Sequence, residues 1–516
     1  MADRMYTSKR TEEILDKIHF STKLDFSTLA RIGFCLALKH PEKITLKSED
    51  SSGKHLNRSS FFNDDELLMK TLLYATYEKR FEDEEDSTDR QSVIKDHIDQ
   101  GCILLDQLFQ ESNQDSLSFF ERLYSELSYD SKQKTTKAAA EHLRIHLGIN
   151  TINNSNLIIE LNNTQKHVNS HMAIVGKPGV GKTQFLLKIL ADIRKQSKFK
   201  TNFIFFDYKG EAAENKDFLS ATQAVAYHPP GKPLPINPFM LAEYSDSVVL
   251  LSAREKTESF ASIDKKFGQV QTGNLTDFIR KGYENRKQKS LKFPDFKEIY
   301  SVAQKFYDVN DKAPDSLMGK LKDLTDFHLF WEHGDESTPI ESLTSKTMVI
   351  DLSKLPVLKE LVAYLVIERL YKEMVALPES QVKNDCREIR TILVIDEAHN
   401  YLSQKNPFLE KIVREGRSKG IAVFFASQSP SDYDQSSFDF RELLEFSFIF
   451  QCDGVSSKSV QDLIACPQKM AKELQIEIAK LKKFHVISRS LVEGEDITKI
   501  EIIPFYKAFE NGEYTS

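Results

Sequence analysis

Apolar residues return every three or four positions early in the chain, at Ile14 and Ile18, at Leu29, Ile32 and Leu36, and again at Leu67, Leu68 and Leu72, with charged residues between them. That spacing lays one apolar stripe along a helix, so the chain up to about Glu111 reads as a small all-helical module. The acidic cluster from Glu82 to Asp86, continued by Ser87, Thr88 and Asp89, has no apolar period and reads as a solvated loop. Between about Glu111 and Lys166, one or two polar helices lead to Asn156-Leu157-Ile158-Ile159-Glu160-Leu161, a short apolar run bounded by Asn, as strands often are.

From Met172 the texture changes. Short apolar runs at Met172–Val175, Phe203–Phe206, Met348–Asp351, Ile392–Ile395, Ala422–Ala426 and Phe446–Phe450 alternate with helical stretches. Strands this uniformly apolar suit a parallel sheet buried on both faces. The mostly helical, charged stretch from about Leu241 to Ser345 separates the second and third runs by far more than one crossover, and reads as a helical insertion. Neither an internal repeat nor a long low-complexity segment interrupts this pattern.

The 516 residues leave room for about two to four domains. A net charge of −7 excludes a global basic field, so any contact with nucleic acid must come from local patches. The five cysteines, Cys35, Cys102, Cys386, Cys452 and Cys466, lie far apart without a C-x-x-C, which argues against a disulfide framework or a zinc cluster and suits a reducing cytoplasm. No run approaches the ~18 apolar residues of a membrane helix, and the polar start from Met1 to Arg10 is unlike a signal peptide, so neither membrane insertion nor export is expected.

The chemistry concentrates after the first apolar run. Gly176-Lys177-Pro178-Gly179-Val180-Gly181-Lys182-Thr183 fits G-x-x-x-x-G-K-[ST], preceded by a strand and followed by a helical pattern from Phe185, so this loop and Gln184 are the expected nucleotide-binding residues. Glycines let backbone N–H groups close around a phosphate at a helix N-terminus; Lys182 offers a point charge and the Thr183 hydroxyl a Mg²⁺ ligand. The expected ligand is therefore ATP with Mg²⁺. Thr391-Ile392-Leu393-Val394-Ile395-Asp396-Glu397 ends a buried strand in two acids, which suits Asp396 for the Mg²⁺ shell and Glu397 for polarising water; the bland alternative makes Glu397 a helix cap. Gln428, at the end of the Ala422–Ala426 strand, is placed to sense the γ-phosphate or the water. Asp207 and Glu211, after the Phe203–Phe206 strand, either help position water or Mg²⁺ or, for Asp207, cap the next helix. In Arg414-Glu415-Gly416-Arg417-Ser418-Lys419-Gly420 the cations either settle a helix C-terminus or provide an arginine finger to a neighbouring subunit, with Arg417 ahead of Arg414.

The order of these pieces, with Leu234-Pro235-Ile236-Asn237-Pro238-Phe239 before the insertion and Ala-Ser-Gln-Ser-Pro after Gly420, resembles the HerA/FtsK superfamily of DNA-pumping ATPases, particularly its HerA branch, over about Asn156 to Phe505. The resemblance implies a RecA-like core, a hexameric ring around double-stranded DNA, ATP sites at subunit interfaces and Arg417 or Arg414 acting in trans. Residues Ser8 to about Gln110, with Thr22-Lys23-Leu24-Asp25-Phe26-Ser27-Thr28-Leu29-Ala30-Arg31, resemble DndE, a small helical protein of DNA phosphorothioation systems. That resemblance implies a DNA-backbone-binding surface and a setting in phosphorothioate modification or linked antiphage defence. The first 58 residues carry 11 Lys and Arg against 8 Asp and Glu, and Lys39, Lys43, Lys47, Lys54 and Arg58 form either a phosphate-tracking face or an ordinary solvated one. Cys35, in an apolar helix, is expected in the core rather than as a sulfur carrier.

The expected fold is α/β: a RecA-like P-loop core with a mainly parallel sheet and a helical insertion, preceded by a small all-α DndE-like domain. The expected boundaries are 1–110 for the helical domain, 111–155 for a connector, 156–505 for the ATPase domain with its insertion at about 241–345, and 506–516 for a tail. The expected function is a Mg²⁺-dependent ATPase that translocates on or remodels DNA, with cleavage or sulfur chemistry left to partner nucleases or modification proteins. The alternative is an ATP-gated ring scaffold or adaptor that assembles partners without travelling along DNA.

Overall fold

A computed structural model describes residues 4–40, 50–62, 69, 87–112, 115–127, 141–241, 244–263, 267–287, 289, 293–355, 357–402, 406–433, 439–489, 491 and 497–514. The chain divides into two compact units, 1–137 and 138–516.

Among its described residues the first unit is helical, with a small two-stranded antiparallel sheet of β1 (Arg4–Tyr6) and β2 (His55–Asn57). Helices Lys9–Thr22 and Phe26–Lys39 start where Ser8 and Asp25 accept the N–H of the residue three positions on, at Thr11 and Thr28. Their apolar stripes pack on the long helix Ser87–Glu111 around Leu15, Phe34, Ile98, Cys102 and Leu105. Gly33 and Gly101 meet where two of these helices cross: a Cβ on Gly101 would lie 1.9 Å from the Gly33 carbonyl oxygen, so no larger residue fits that approach. Asp99 ties the first helix to the long one, accepting from Ser8 N at 2.9 Å and Thr11 Oγ1 at 2.6 Å while pairing with Lys95 at 2.8 Å.

Two expectations for this unit change. Cys35 is exposed, because its helix buries Phe34, Leu36 and Ala37 and turns position 35 away. Ser87, Thr88 and Asp89 open the long helix instead of continuing a loop, and Glu82 to Asp86 lie outside the described residues, as do Leu67, Leu68, Leu72, Lys43 and Lys47. Lys54, offered for a phosphate-tracking face, pairs with Asp16 at 2.8 Å and sits 3.1 Å from the centre of the Phe26 ring.

The second unit is built on one eleven-stranded sheet in the order β4-β3-β15-β14-β13-β5-β12-β11-β6-β8-β7. In chain order these are β3 (Arg144–Asn150), β4 (Asn156–Glu160), β5 (Met172–Val175), β6 (Asn202–Asp207), β7 (Val225–Tyr227), β8 (Met348–Asp351), then, after the short hairpin of β9 (Val382–Lys383) and β10 (Cys386–Arg387), β11 (Thr391–Ile395), β12 (Ile421–Ser427), β13 (Phe446–Ile449), β14 (His485–Arg489) and β15 (Ile497–Ile502). From β13 to β7 every neighbour is parallel; β14, β15, β3 and β4 continue the sheet as an antiparallel wing. Successive side chains point to opposite faces, so Ile392 and Val394 of β11 join one core and Leu393 and Ile395 the other. The first core takes in helices Lys182–Gln196 and Phe505–Glu510. The second takes in Lys359–Ala376 and the insertion helices Asp246–Ile263, Gln269–Arg286, Phe296–Val309 and Ser316–Asp326.

Two segments differ from the sequence reading. β3 lies within the stretch read as a connector, because its apolar Ile145 and Leu147 alternate with polar positions and complete the sheet beside β15. The stretch read as a tail begins in helix Phe505–Glu510, and Tyr514 Oη donates to Asp192 Oδ1 at 2.7 Å on the helix that follows the phosphate loop.

Candidate functional site

The phosphate loop runs from the end of β5 to the start of helix Lys182–Gln196, and the sheet's C-terminal edge holds it on both sides. Gly176 N donates to Ser427 O at 3.1 Å and Lys177 N to Gln451 O at 2.8 Å. Gly179 and Gly181 take φ of +81° and +114°, values an L side chain rarely adopts. A Cβ at Gly181 would also lie 2.5 Å from the Phe484 ring, which is itself anchored where Phe484 N donates to Val180 O at 3.0 Å and Ile502 N to Phe484 O at 2.9 Å. Pro178 and Gly179 form the exposed tip while Val180 is buried under it. Lys177 pairs with Asp453 at 3.1 Å, and Gln184 accepts Tyr506 N at 3.2 Å, which makes it a link to the C-terminal helix.

Lys182 is buried and its ammonium donates to the carbonyls of Gly176 and Lys177. Burial, then the nearby charge of Lys209, lowers its pKa from the ordinary lysine value. Thr183 follows, half-buried in the first helical turn.

Strand order explains how the carboxylates arrive. β12 lies between β5 and β11, and β6 flanks β11 on the far side, with Phe206 opposite Ile395. The ends of β12, β11 and β6 therefore deliver Gln428, Asp396 with Glu397, and Lys209 to one edge. Burial, reinforced by the adjacent Glu397 charge, pushes Asp396 up to about 7. Glu397 has a φ of +48°; its Oε2 accepts from Gln428 Nε2 at 2.8 Å and lies 3.4 Å from His399 Nδ1, and its Oε1 lies 2.5 Å from Lys209 Nζ. Burial opposes its charge, yet Lys209 and Gln428 hold the carboxylate below the usual range. A hydroxyl and a buried carboxylate whose ionisation is costly suit a divalent cation, so Thr183 and Asp396 are the residues here that fit Mg²⁺.

Other sequence candidates stand elsewhere. Asp207 is fully buried and accepts four backbone N–H groups, from Lys209 and Gly210 through Oδ1 and from Ala212 and Ala213 through Oδ2, at 2.8–3.1 Å. It organises the turn that carries Lys209, close to the capping alternative. Glu211 is exposed on that turn. Arg414 and Arg417 are exposed at the opposite end of the sheet, because they precede β12 while Gln428 follows it; seven strand residues span roughly 20 Å. There Arg417 lines a cleft with Arg387, Asn162, His167 and Asn169. Two neighbours of the loop escaped the sequence reading. Lys209 was visible inside Asp-x-Lys-Gly-Glu, but nothing in that motif marks it as the partner of Glu397; Phe484 carries no local signal at all.

Residues 4–113 match the family model of the DNA sulphur modification protein DndE, and residues 145–374 match that of the central domain of helicase HerA. The chain thus joins a DndE-like domain to a HerA-like domain. It is 26% identical over 299 residues to the DNA import protein CedB of Sulfolobus acidocaldarius, covering 54% of this chain and 44% of that protein. It is 24% identical over 280 residues to the DNA double-strand break repair helicase HerA of Sulfurisphaera tokodaii, covering 52% of each. The chain therefore spans about half the length of the curated relatives it matches. Among solved structures, VirB4 of Thermoanaerobacter pseudethanolicus superposes with a TM-score of 0.52 at 16% identity, over 70% of this chain and 96% of that one, a likeness of fold. Among the described residues, no helix is long and apolar enough to cross a membrane.

Proposed function

We propose that this chain, with a DndE-like domain ahead of a HerA-like core, is a Mg²⁺-dependent ATP hydrolase that acts on double-stranded DNA as a ring motor, six subunits being the expected number. Its setting is DNA sulphur modification or the antiphage defence linked to it. The observation that carries the reading is the convergence of Gln428 and Lys209 on Glu397, beside a complete phosphate loop. An apolar strand end has no structural need for a buried, ionised carboxylate held by two polar partners.

In this reading the loop N–H groups and Lys182 hold the β- and γ-phosphates, and Thr183 and Asp396 hold Mg²⁺, which supplies charge neutralisation when bound. Glu397, kept ionised by its neighbours, accepts a proton from the attacking water, and Gln428 orients that water with it. Arg417, or Arg414 beside it, lies too far from its own loop and serves the site of an adjacent subunit. The relatives named for DNA import and DNA repair support DNA as the substrate acted upon.

The test is steady-state ATP hydrolysis by the full chain and by Glu397→Gln, with and without long duplex DNA, alongside native mass measurement in ATP. Turnover stimulated by duplex, lost in the variant and accompanied by a ring, supports the motor. Turnover indifferent to DNA in a stable ring favours the ATP-gated scaffold.

A further inference from the structure

Lys209 stands on a turn fixed by the four N–H groups that Asp207 accepts, so its position does not depend on its own side-chain contact. Its ammonium lies 2.5 Å from Glu397 Oε1; the Lys209 side chain is 34% exposed and that of Glu397 only 7%, so the lysine is the partner with freedom to move. The same charge acts on Lys182 and on Asp396, which places Lys209 within electrostatic reach of the phosphate loop as well as of the base. Lys182 meanwhile bonds the carbonyls of its own loop. Lys182 and Lys209 thus act on the same region of charge, and a phosphate anion entering the loop is attracted by both.

We propose that Lys209 is an exchangeable clamp on Glu397: its ammonium pairs with the carboxylate until the terminal phosphate of a nucleoside triphosphate draws it away, leaving Glu397 free to receive water. This rests on the ATP-hydrolase reading. A terminal phosphate carries more negative charge than one carboxylate, so the ammonium follows it. Glu397 does not then stand alone, because Gln428 still donates to Oε2 and His399 lies 3.4 Å away. Lys209 is thus a positioning residue for Glu397, coupling the readiness of the base to the presence of an intact triphosphate.

A thermodynamic cycle tests the clamp. Affinity of the full chain for the non-hydrolysable ATP analogue AMP-PNP, with Mg²⁺, is measured for wild type, Lys209→Met, Glu397→Gln and the double variant. If the clamp must open for binding, Glu397→Gln tightens affinity about tenfold when Lys209 is present and within about twofold when it is Met. Lys209→Arg, which keeps a cation, restores the larger effect. Equal tightening in both backgrounds overturns the clamp, since loss of like-charge repulsion alone then accounts for it. If wild type and Lys182→Ala both fail to bind AMP-PNP, the nucleotide reading itself falls, and the clamp with it.

Discussion

Gln428 donates to Glu397 across two adjacent strands, from the residue after β12 to the second residue past β11, at 2.8 Å. The amide fixes one carboxylate oxygen and leaves the other to Lys209. Replacing Gln428 with Ala should lower kcat by about 10- to 100-fold with little change in KM, since the loss falls on orientation of the base and the water rather than on nucleotide binding. Steady-state kinetics over an ATP series separate the two constants, and an unchanged kcat would remove Gln428 from the site.

Asp396 makes the metal-free protein sensitive to pH. Its folded-state pKa, pushed up to about 7, exceeds that of an unfolded aspartate, so the unfolded chain ionises first as pH rises. Stability then falls between about pH 4 and 7 and levels off above. Asp396→Asn should therefore raise the melting temperature at pH 8 in EDTA, by an amount equivalent to roughly 2–4 kcal/mol, and change little near pH 4. Thermal unfolding at the two pH values is the check; equal shifts at both would contradict the burial argument.

Gly181 combines a φ of +114° with the Phe484 ring where a side chain would go. Gly181→Ala should cost about 1–3 kcal/mol through backbone strain and should weaken nucleotide binding by distorting the loop. Adding Phe484→Ala removes the clash but not the strain, so the double variant should recover only part of the loss in calorimetric binding.

The helical insertion is pinned by charges inside the second core. Lys256 and Glu368 are 2.9 Å apart and almost fully buried, Lys372 adds a second contact to Glu368 at 2.8 Å, and Ser259 Oγ donates to its other oxygen at 2.8 Å. Burial brings Lys256 down to about 8. Glu368→Ala, which leaves that lysine buried without its counter-charge, should destabilise the chain by about 3–5 kcal/mol, whereas Lys256→Met with Glu368→Leu should recover most of it. Chemical denaturation of the three proteins measures both effects.

The parts legible in the sequence are those whose chemistry is written in consecutive residues. The phosphate loop needs its strand, its glycines and its helix side by side, and they lie so from Met172 to Gln196. The apolar runs that became β5, β6, β8, β11, β12 and β13 announce themselves because strands buried on both faces lose the alternation that would otherwise hide among polar residues. β15 and β3, in the antiparallel wing, kept that alternation and passed unread, and β14 offers only two apolar residues, Val486 and Ile487, between polar ones. Cys35 shows the same limit on a helix: its neighbours are apolar, but the face that meets Ser87–Glu111 turns it outward.

By itself, then, the sequence determined that a strand–loop–helix phosphate site and an acidic strand end exist, because each is a local arrangement of covalently adjacent groups. Only the tertiary structure decided who stands next to whom. The order β5-β12-β11-β6 places Gln428 and Lys209 on either side of Glu397 and sends Arg414 and Arg417 to the far edge, and β14, beside β13, brings Phe484 over Gly181 from some 300 residues away. Strand order follows from how apolar faces of distant segments pack together, a sum over many long-range contacts that no short stretch of residues encodes.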